Sequence, residues 1–289
     1  MGGLITMVNA IEIRDLCKSY PGFTLDHLNM TLPTGYILGL VGENGAGKST
    51  TIRLLLNLIR RDSGEISVLG NDPAASDASW KNDIGVVLDS MGLPLTVNAV
   101  QVGKMMADAF SRWDAEKYDY YLDRFDVPRD RRFGEMSNGT KMKLGIAIAL
   151  SHDAKLLILD EATNGLDPLV RDDVNEVLME FTREENRSIL ISSHIVSDLE
   201  KICDYIAFLH KGKLMLCEEK DVLSSQYGIL SCSEDVLETV APEAVIHVTR
   251  NTYGCRAVVR RDSIPEGHSA DPITIEELFV LMAKEGGQL

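Results

Sequence analysis

Short apolar runs alternate with amphipathic stretches over most of this chain. Three runs have the length and composition of strands that are buried on both faces of a sheet. They are residues 36–41, 156–159 and 189–191. Residues 50–60 carry apolar side chains at helical spacing, with Ile52, Leu55, Leu56 and Ile59 on one face. The alternation from about residue 10 to about residue 220 predicts an α/β domain with a largely parallel sheet.

A helical insertion interrupts this alternation from about residue 96 to residue 135. Together with the apolar helix that follows, it defines a predicted helical subdomain of about residues 96–150. Its apolar stripe consists of Tyr118, Tyr121, Leu122 and Phe125. This stripe has the spacing of a helix packed on a core, and we interpret it as packing rather than as a ligand site.

The pattern changes again from about residue 230. Residues 244–250 and 255–261 flank the turn 251–254 and predict a β-hairpin. A capping box at Thr274–Glu277 predicts a final helix with an apolar face of Ile275, Leu278, Phe279 and Met282. We therefore expect a main domain over residues 8–225 and a small appended α+β unit over residues 229–289, in which nothing indicates chemistry.

Composition narrows the possible partners and the cellular compartment. The net charge of −15 argues against a nucleic-acid backbone as the main partner and against a polybasic membrane anchor. No apolar stretch approaches the roughly 18 residues that are needed to span a bilayer, and residues 1–7 lack the pattern of a signal peptide. The five scattered cysteines form no CxxC pair, which predicts a reduced, cytosolic compartment.

The most specific motif lies between the first apolar run and the amphipathic helix. Its residues are Gly42, Glu43, Asn44, Gly45, Ala46, Gly47, Lys48 and Ser49, followed by Thr50. They match the phosphate-binding pattern GxxxxGK[ST], in which glycine N–H groups and a helix N-terminus surround an anion. Lys48 would reach the β- and γ-phosphates, and the Ser49 hydroxyl would bind Mg²⁺. A chance glycine-rich turn would not need these flanking elements, so the motif predicts a nucleoside triphosphate site.

Polar residues follow the other two apolar runs. Asp160 and Glu161 end one run, and His194 follows the next. Because ligands collect at the carboxyl ends of parallel strands, we expect all three beside the phosphate loop. Asp160 would hold Mg²⁺, and Glu161 would orient or deprotonate the water that attacks the γ-phosphate. His194 would donate a hydrogen bond to the γ-phosphate or to that water.

These motifs, in this order, resemble the ATP-binding subunit of ABC transporters over about three-quarters of the chain. The loop at 42–49 is similar to Walker A, residues 156–161 to Walker B with its catalytic glutamate, and residues 164–167 to the D-loop. His194 resembles the switch histidine of the family. Tyr20 lies where the family stacks an aromatic ring on adenine, although an ordinary edge tyrosine is the alternative. The resemblance implies a P-loop NTPase fold with ATP and Mg²⁺ as ligands.

Two segments depart from the family pattern. The family signature Leu-Ser-Gly-Gly-Gln appears here as residues 136–140, which retain Ser137 and Gly139. Asn138 replaces a glycine, which we expect to be tolerated because asparagine adopts left-handed conformations more readily than most residues. Asp89 stands where the family has the Q-loop glutamine. Its shorter carboxylate either binds Mg²⁺ with a different reach or leaves that role vacant.

The resemblance also implies partners. In this family each ATP lies between Walker A of one subunit and the signature of another, so the chain is expected to dimerise with itself or with a paralogue. Separate transmembrane permeases would hold it at the inner face of the cell membrane. The expected function is the ATP-hydrolysing motor of an exporter of drugs or peptides. The alternatives are a non-transport ATPase acting on ribosomes or DNA, and a regulator that binds ATP without turnover.

Overall fold

The computed structural model describes residues 9–89, 91–184, 186–251 and 254–284. Its strands are β1 (Asn9–Tyr20), β2 (Phe23–Pro33), β3 (Ile37–Val41), β4 (Ser63–Val68), β5 (Ile84–Val87), β6 (Leu156–Asp160), β7 (Ser188–Ser193), β8 (Tyr205–His210), β9 (Lys213–Glu219), β10 (Tyr227–Cys232), β11 (Val245–Asn251) and β12 (Gly254–Arg260). Its helices are α1 (Lys48–Leu55), α2 (Ala99–Ala109), α3 (Ala115–Arg124), α4 (Asn138–Leu150), α5 (Pro168–Phe181), α6 (Val196–Ile202), α7 (Lys220–Gln226), α8 (Glu234–Leu237) and α9 (Ile275–Lys284).

The central sheet is the element that positions the site. Its strand order is β5-β6-β7-β3-β8-β9, and the strands from β5 to β8 in this order are parallel, whereas β9 runs antiparallel at the edge. The three predicted apolar runs form β3, β6 and β7, and every residue of these strands is buried. The parallel arrangement brings the carboxyl ends of these strands to the same edge of the sheet.

A second, antiparallel sheet of order β2-β1-β4 packs beside the central sheet. Its apolar side chains share one cluster with α1, including Ile11, Leu28 and Ile52. The prediction of a largely parallel sheet therefore holds for the central sheet alone. The pattern of the sequence did not distinguish this second sheet because β1 and β2 pair with register shifts that disturb the two-residue period.

Helix α1 is shorter than the predicted span of residues 50–60. It begins at Lys48, inside the phosphate-loop motif, and ends at Leu55. Asn57 adopts a positive φ of 54°, which stops the helical hydrogen-bond pattern. Ile59 still packs against the apolar cluster from the following turn, so the apolar periodicity continues beyond the end of the helix.

The predicted helical insertion consists of α2, α3 and a short 3₁₀ turn at Phe133–Glu135, and α4 follows it. Tyr118, Leu122 and Phe125 are buried in the main core, which confirms that the aromatic stripe serves packing. The hydroxyl of Tyr118 donates a hydrogen bond to the carbonyl of Ala99 at 2.9 Å and so ties α3 to the start of α2.

The C-terminal unit contains the predicted hairpin, in which β11 and β12 pair antiparallel. Thr252 and Tyr253 of the predicted turn lie outside the described residues. Strand β10 pairs with the other edge of β12 and spans residue 229, where we predicted the unit to begin. Helix α7 runs directly into this strand, so no linker separates the unit from the main domain.

The final helix, α9, attaches this unit to the main domain. Its predicted apolar face is buried and belongs to the large core cluster of the main domain. The rings of Phe279 and Phe208 lie 5.0 Å apart, which brings α9 against strand β8. Among the described helices, none combines the length and apolar character that a membrane crossing requires.

Candidate active site

The phosphate-loop motif connects the end of β3 to the start of α1. Gly45 and Gly47 have φ values of 83° and 115°, which favour glycine strongly. A Cβ atom at Gly47 would lie 2.9 Å from the ring of Phe23, and one at Gly42 would lie 2.5 Å from the carbonyl oxygen of Leu209. The glycines of the motif are thus required by backbone conformation and by close packing around the loop.

Lys48 is the first residue of α1, and its side chain is almost entirely buried. Its Nζ donates hydrogen bonds to the carbonyl of Gly42 at 2.6 Å and to that of Glu43 at 3.4 Å. It also lies 3.2 Å from Oε1 of Glu161. The loop therefore holds a cation at its centre, and the predicted catalytic carboxylate lies next to it.

The predicted residues at the strand ends come together as expected. Nδ1 of His194 lies 2.8 Å from Oε2 of Glu161, so that Lys48, Glu161 and His194 form a continuous chain of contacts. Glu161 has a φ of 55°, and its N–H lies 3.1 Å from the hydroxyl oxygen of Ser192. This serine donates a hydrogen bond to Oδ1 of buried Asp160 at 2.6 Å and so fixes both acids. The sequence prediction omitted Ser192, whose position before His194 on a buried strand was the available signal.

These residues surround a cleft of about 690 Å³, within the size range of small-molecule sites. Its lining residues are Gly22, Phe23, Glu43, Asn44, Gly45, Gly47, Lys48, Ser49, Thr50, Asp89, Glu161, Asn164 and His194. Of the other predicted loop residues, Ala46 is buried beneath the loop. Asp89 is exposed at the end of β5 and shares the cleft with Ser49.

The oxygen donors of this cleft suit Mg²⁺. Mg²⁺ prefers a small set of hard oxygen ligands from carboxylates, hydroxyls, water and phosphates. Ser49 and Asp89 line the cleft, and Asp160 lies beside Glu161 at the end of β6. No sulfur or imidazole is needed to complete such a set.

The structure places a second aromatic ring, that of Phe23, in the lining of the cleft, while stacking on Tyr20 stays a prediction. Phe23, at the start of β2, lines the cleft and contacts the phosphate loop. Tyr20 is 41% exposed and lies outside that lining, with the ammonium of Lys18 placed 5.3 Å from its ring centre. Both rings flank the turn at 21–22 between β1 and β2. A hairpin predicted at this point would therefore have marked Phe23 as a candidate beside Tyr20.

The signature-like segment lies apart from the cleft. Ser137 caps helix α4, and its Oγ accepts a hydrogen bond from the N–H of Thr140 at 3.1 Å. Asn138 is the first residue of α4 and does not have a positive φ, so this position does not need the left-handed conformation that glycine favours. A Cβ at Gly139 would lie 3.5 Å from Leu166, which places the signature beside the segment at 164–167.

A second depression, which we call the apolar groove, has a volume of about 500 Å³. It lies between the central sheet and the helical insertion, and its lining includes Leu58, Trp80, Met91, Leu93, Phe110 and His152. The imidazole of His152 stacks on Phe110 with ring centres 4.0 Å apart. Burial lowers the pKa of His152, which favours the neutral ring and keeps the groove apolar.

Comparisons with known proteins agree with this geometry. Residues 25–164 match the sequence pattern of the family described as "ABC transporter". A bacitracin transport ATP-binding protein of Bacillus licheniformis is 36% identical over 212 residues, which cover 72% of this chain and 69% of that protein. A lantibiotic transport ATP-binding protein of Streptococcus pyogenes is 36% identical over 214 residues, covering 73% and 91%.

Among solved structures, an ATP-binding subunit of an ABC transporter superposes with a TM-score of 0.68 at 26% identity. The superposition covers 74% of this chain and 91% of the other. The sequence comparisons and the structural comparison thus agree on the family. The chain belongs to the ABC transporter family, as an ATP-binding subunit that hydrolyses ATP.

Proposed function

We propose that the cleft between the phosphate loop and Glu161 binds ATP with Mg²⁺ and drives an exporter of drugs or peptides. The observation that carries this proposal is the chain of contacts from Lys48 through Glu161 to His194, with distances of 3.2 and 2.8 Å. It places one cation, one carboxylate and one imidazole at the edge of the sheet where a γ-phosphate and an attacking water would meet.

Each residue of this chain has a separate task in the proposal. Lys48 turns from Glu161 to the β- and γ-phosphates when ATP enters, which frees the carboxylate to accept a proton from water. His194 holds Glu161 through its Nδ1 side and orients the water. Ser49, Asp160 and Asp89 would hold Mg²⁺, which neutralises phosphate charge when bound.

The base of the nucleotide is proposed to stack against an aromatic ring at the mouth of the cleft. Phe23 is the better candidate because it lines the cleft, and Tyr20 would need to move to reach it. Stacking of a base on an aromatic ring contributes roughly 1–3 kcal/mol.

A second chain is needed to complete the site. Ser137, Asn138 and Gly139 lie outside the cleft of their own chain, at the start of a helix whose N-terminus suits an anion. In the proposed dimer, these residues contact the γ-phosphate that is bound to the loop of the partner.

The apolar groove is proposed as the docking site of a permease. A short amphipathic helix from a cytoplasmic loop of the permease fits a depression that is lined mainly by apolar side chains, with Lys81, Asn82 and a neutral imidazole among them. Asp89 lines the ATP cleft and Met91 lines this groove, so the two depressions share a short stretch of the sequence. Docking there would place the chain at the inner face of the cell membrane.

The transported substrate is proposed by analogy with the relatives. Two of them carry names that state transport of bacitracin and of lantibiotics. We therefore propose peptide-like or drug-like compounds as the exported class. Nucleic acid is a poor alternative partner, since the net charge of −15 would oppose contact with a phosphate backbone.

Replacing Glu161 by Gln tests the proposed function. The variant retains the shape of the side chain but loses its basicity, so hydrolysis should fall about 100-fold or more while ATP binding persists. Steady-state phosphate release, the ATP dissociation constant and the mass of the ATP-bound species measure these effects. The expected result is a dimer trapped by ATP. Glu176→Gln, at an exposed position of α5, is the matched control. Undiminished hydrolysis by Glu161→Gln would contradict the assigned role.

A further inference from the structure

One arginine outside the cleft joins the segment that packs beside the signature to the helix that follows the cleft histidine. Arg171 lies in the first turn of α5 and is largely buried. Its Nη1 donates a hydrogen bond to Oδ2 of Asp198 at 2.8 Å, and its Nη2 donates to the carbonyl of Leu166 at 3.2 Å. Its Nε is buried without a hydrogen-bond partner among the described residues.

The carbonyl acceptor, Leu166, belongs to the segment at 164–167 that packs beside the signature. The carbonyl oxygen of Gly165 and the side chain of Leu166 lie 3.6 and 3.5 Å from the Cβ position of Gly139. Asn164 of the same segment lines the cleft. A shift of this segment therefore alters the surroundings of the signature and the wall of the cleft together.

The carboxylate acceptor, Asp198, belongs to the helix that follows the cleft histidine. Helix α6 begins at Val196, two residues after His194, and the side chain of Asp198 is 11% exposed. His194 in turn contacts Glu161 at 2.8 Å. The guanidinium of Arg171 thus connects helix α6, which follows His194, to the segment at 164–167, which packs beside the signature.

In the proposed dimer the cleft histidine and the signature of one chain serve different nucleotides. Each chain supplies Lys48, Glu161 and His194 to one ATP and Ser137 to Gly139 to the other. A rigid connection between them makes the two sites change together, which is the physical requirement for coupling between sites. The planar fork of arginine reaches both acceptors at once, whereas the single ammonium of lysine is a point charge without this geometry.

We propose that Arg171 is a positioning residue that couples the two ATP sites of the dimer through its simultaneous bonds to Leu166 and Asp198. This inference rests on the proposed function, because it requires two sites that are shared between two chains. Arg171 touches neither nucleotide nor water in this scheme, and it acts through the positions of His194 and the signature.

The test compares hydrolysis as a function of ATP concentration for the purified 289-residue chain and for Arg171→Lys. The unmodified chain is expected to show a Hill coefficient above 1. The variant should show a Hill coefficient near 1, because the coupling between the sites is lost. Its kcat should be about tenfold lower, because His194 and the signature are no longer held in position. ATP affinity, measured in the Glu161→Gln background, should change by less than about twofold, since no phosphate contact is removed.

Two further variants separate coupling from folding. Asp172→Asn removes an exposed ion pair to Lys201 that spans the same two helices without reaching Leu166, and it should leave the Hill coefficient unchanged. Asp198→Asn breaks the same buried contact from the other side and should reproduce the effect of Arg171→Lys. The double variant should be no worse than either single variant, because residues that act through one contact are not additive. If thermal unfolding shows that Arg171→Lys is not folded, Asp198→Asn replaces it as the test of coupling.

The outcomes distinguish this inference from the proposed function. Cooperative hydrolysis that Arg171→Lys and Asp198→Asn leave intact overturns the coupling role. Hydrolysis by the unmodified chain with a Hill coefficient of 1 also overturns it, while the proposed ATPase function stands. A chain that neither binds nor hydrolyses ATP contradicts the proposed function itself.

Discussion

The cleft and the apolar groove are depressions of similar size, about 690 and 500 Å³, built in opposite ways. The cleft is shaped by backbone: glycines with positive φ, the start of α1 and the ends of two parallel strands. The groove is shaped by side chains from several elements, including Leu58, Trp80 and Phe110. One depression presents N–H groups and charges, and the other presents apolar surface.

Because they are built differently, the cleft and the groove should tolerate different kinds of substitution. Catalysis of phosphoryl transfer depends mainly on positioning and electrostatics, so a cleft fixed by backbone loses function when one charged group is removed. A docking surface gains its affinity from a few apolar contacts that exclude water, so introducing a charge damages it more than trimming a side chain. Variants that affect one depression and spare the other therefore test the two proposed roles separately.

The largest effect is expected from Lys48→Ala. The variant removes the cation at the centre of the phosphate loop and should weaken ATP binding by about 100-fold or more, because hydrogen bonds to charged groups contribute about 1.5–3 kcal/mol each. Titration with a fluorescent ATP analogue measures this. Lys155→Ala removes an exposed lysine that pairs with Asp83 and should bind normally. A dissociation constant of Lys48→Ala equal to that of the unmodified chain would refute the assignment of the phosphate loop.

A smaller effect, on the other depression, is expected from Leu58→Asp. Leu58 is 57% exposed on the rim of the groove, so the substitution should not disturb folding. It should lower co-purification with a polytopic protein from detergent-solubilised membranes by about 30-fold, since a hot-spot contact contributes about 2 kcal/mol. ATP hydrolysis by the free chain should be unchanged.

The control for this experiment is Met179→Asp, at a position that is 43% exposed on α5, away from the groove. It should leave co-purification intact. If Leu58→Asp and Met179→Asp co-purify equally well, the groove is not the docking site. A chain that is recovered on ribosomes and not with membranes would instead support the alternative function.

The smallest effect is expected from the aromatic residues at the mouth of the cleft. Phe23→Ala should weaken ATP binding by about tenfold, whereas Tyr20→Ala should have a smaller effect, because Phe23 lines the cleft and Tyr20 does not. Calorimetric titration of both variants with ATP ranks the two rings. The opposite ranking would show that Tyr20 moves onto the base, as the family resemblance implies.

The parts of the fold that depend on local pattern were predictable. The three apolar runs are buried strands, and the helical stripe around Tyr118 is core. The antiparallel sheet was not predicted, because Asp15 and His27 adopt positive φ at bulges of β1 and β2 and interrupt the alternation that identifies a strand. The end of α1 was placed too late because apolar spacing persists beyond Asn57, where the backbone has already left the helix.

The local sequence was enough to predict the candidate chemical groups: the glycines and Lys48 of the loop, the acids at a strand end, and the histidine after the next strand. Such motifs are local, since each needs only its own turn or strand end to be recognised. Tertiary structure alone decided which distant groups meet. Three such contacts place Ser192 beneath both acids, Phe23 against Gly47, and Arg171 between Leu166 and Asp198. Apolar periodicity shows which face of an element is buried, but it does not show which distant residue that face will contact.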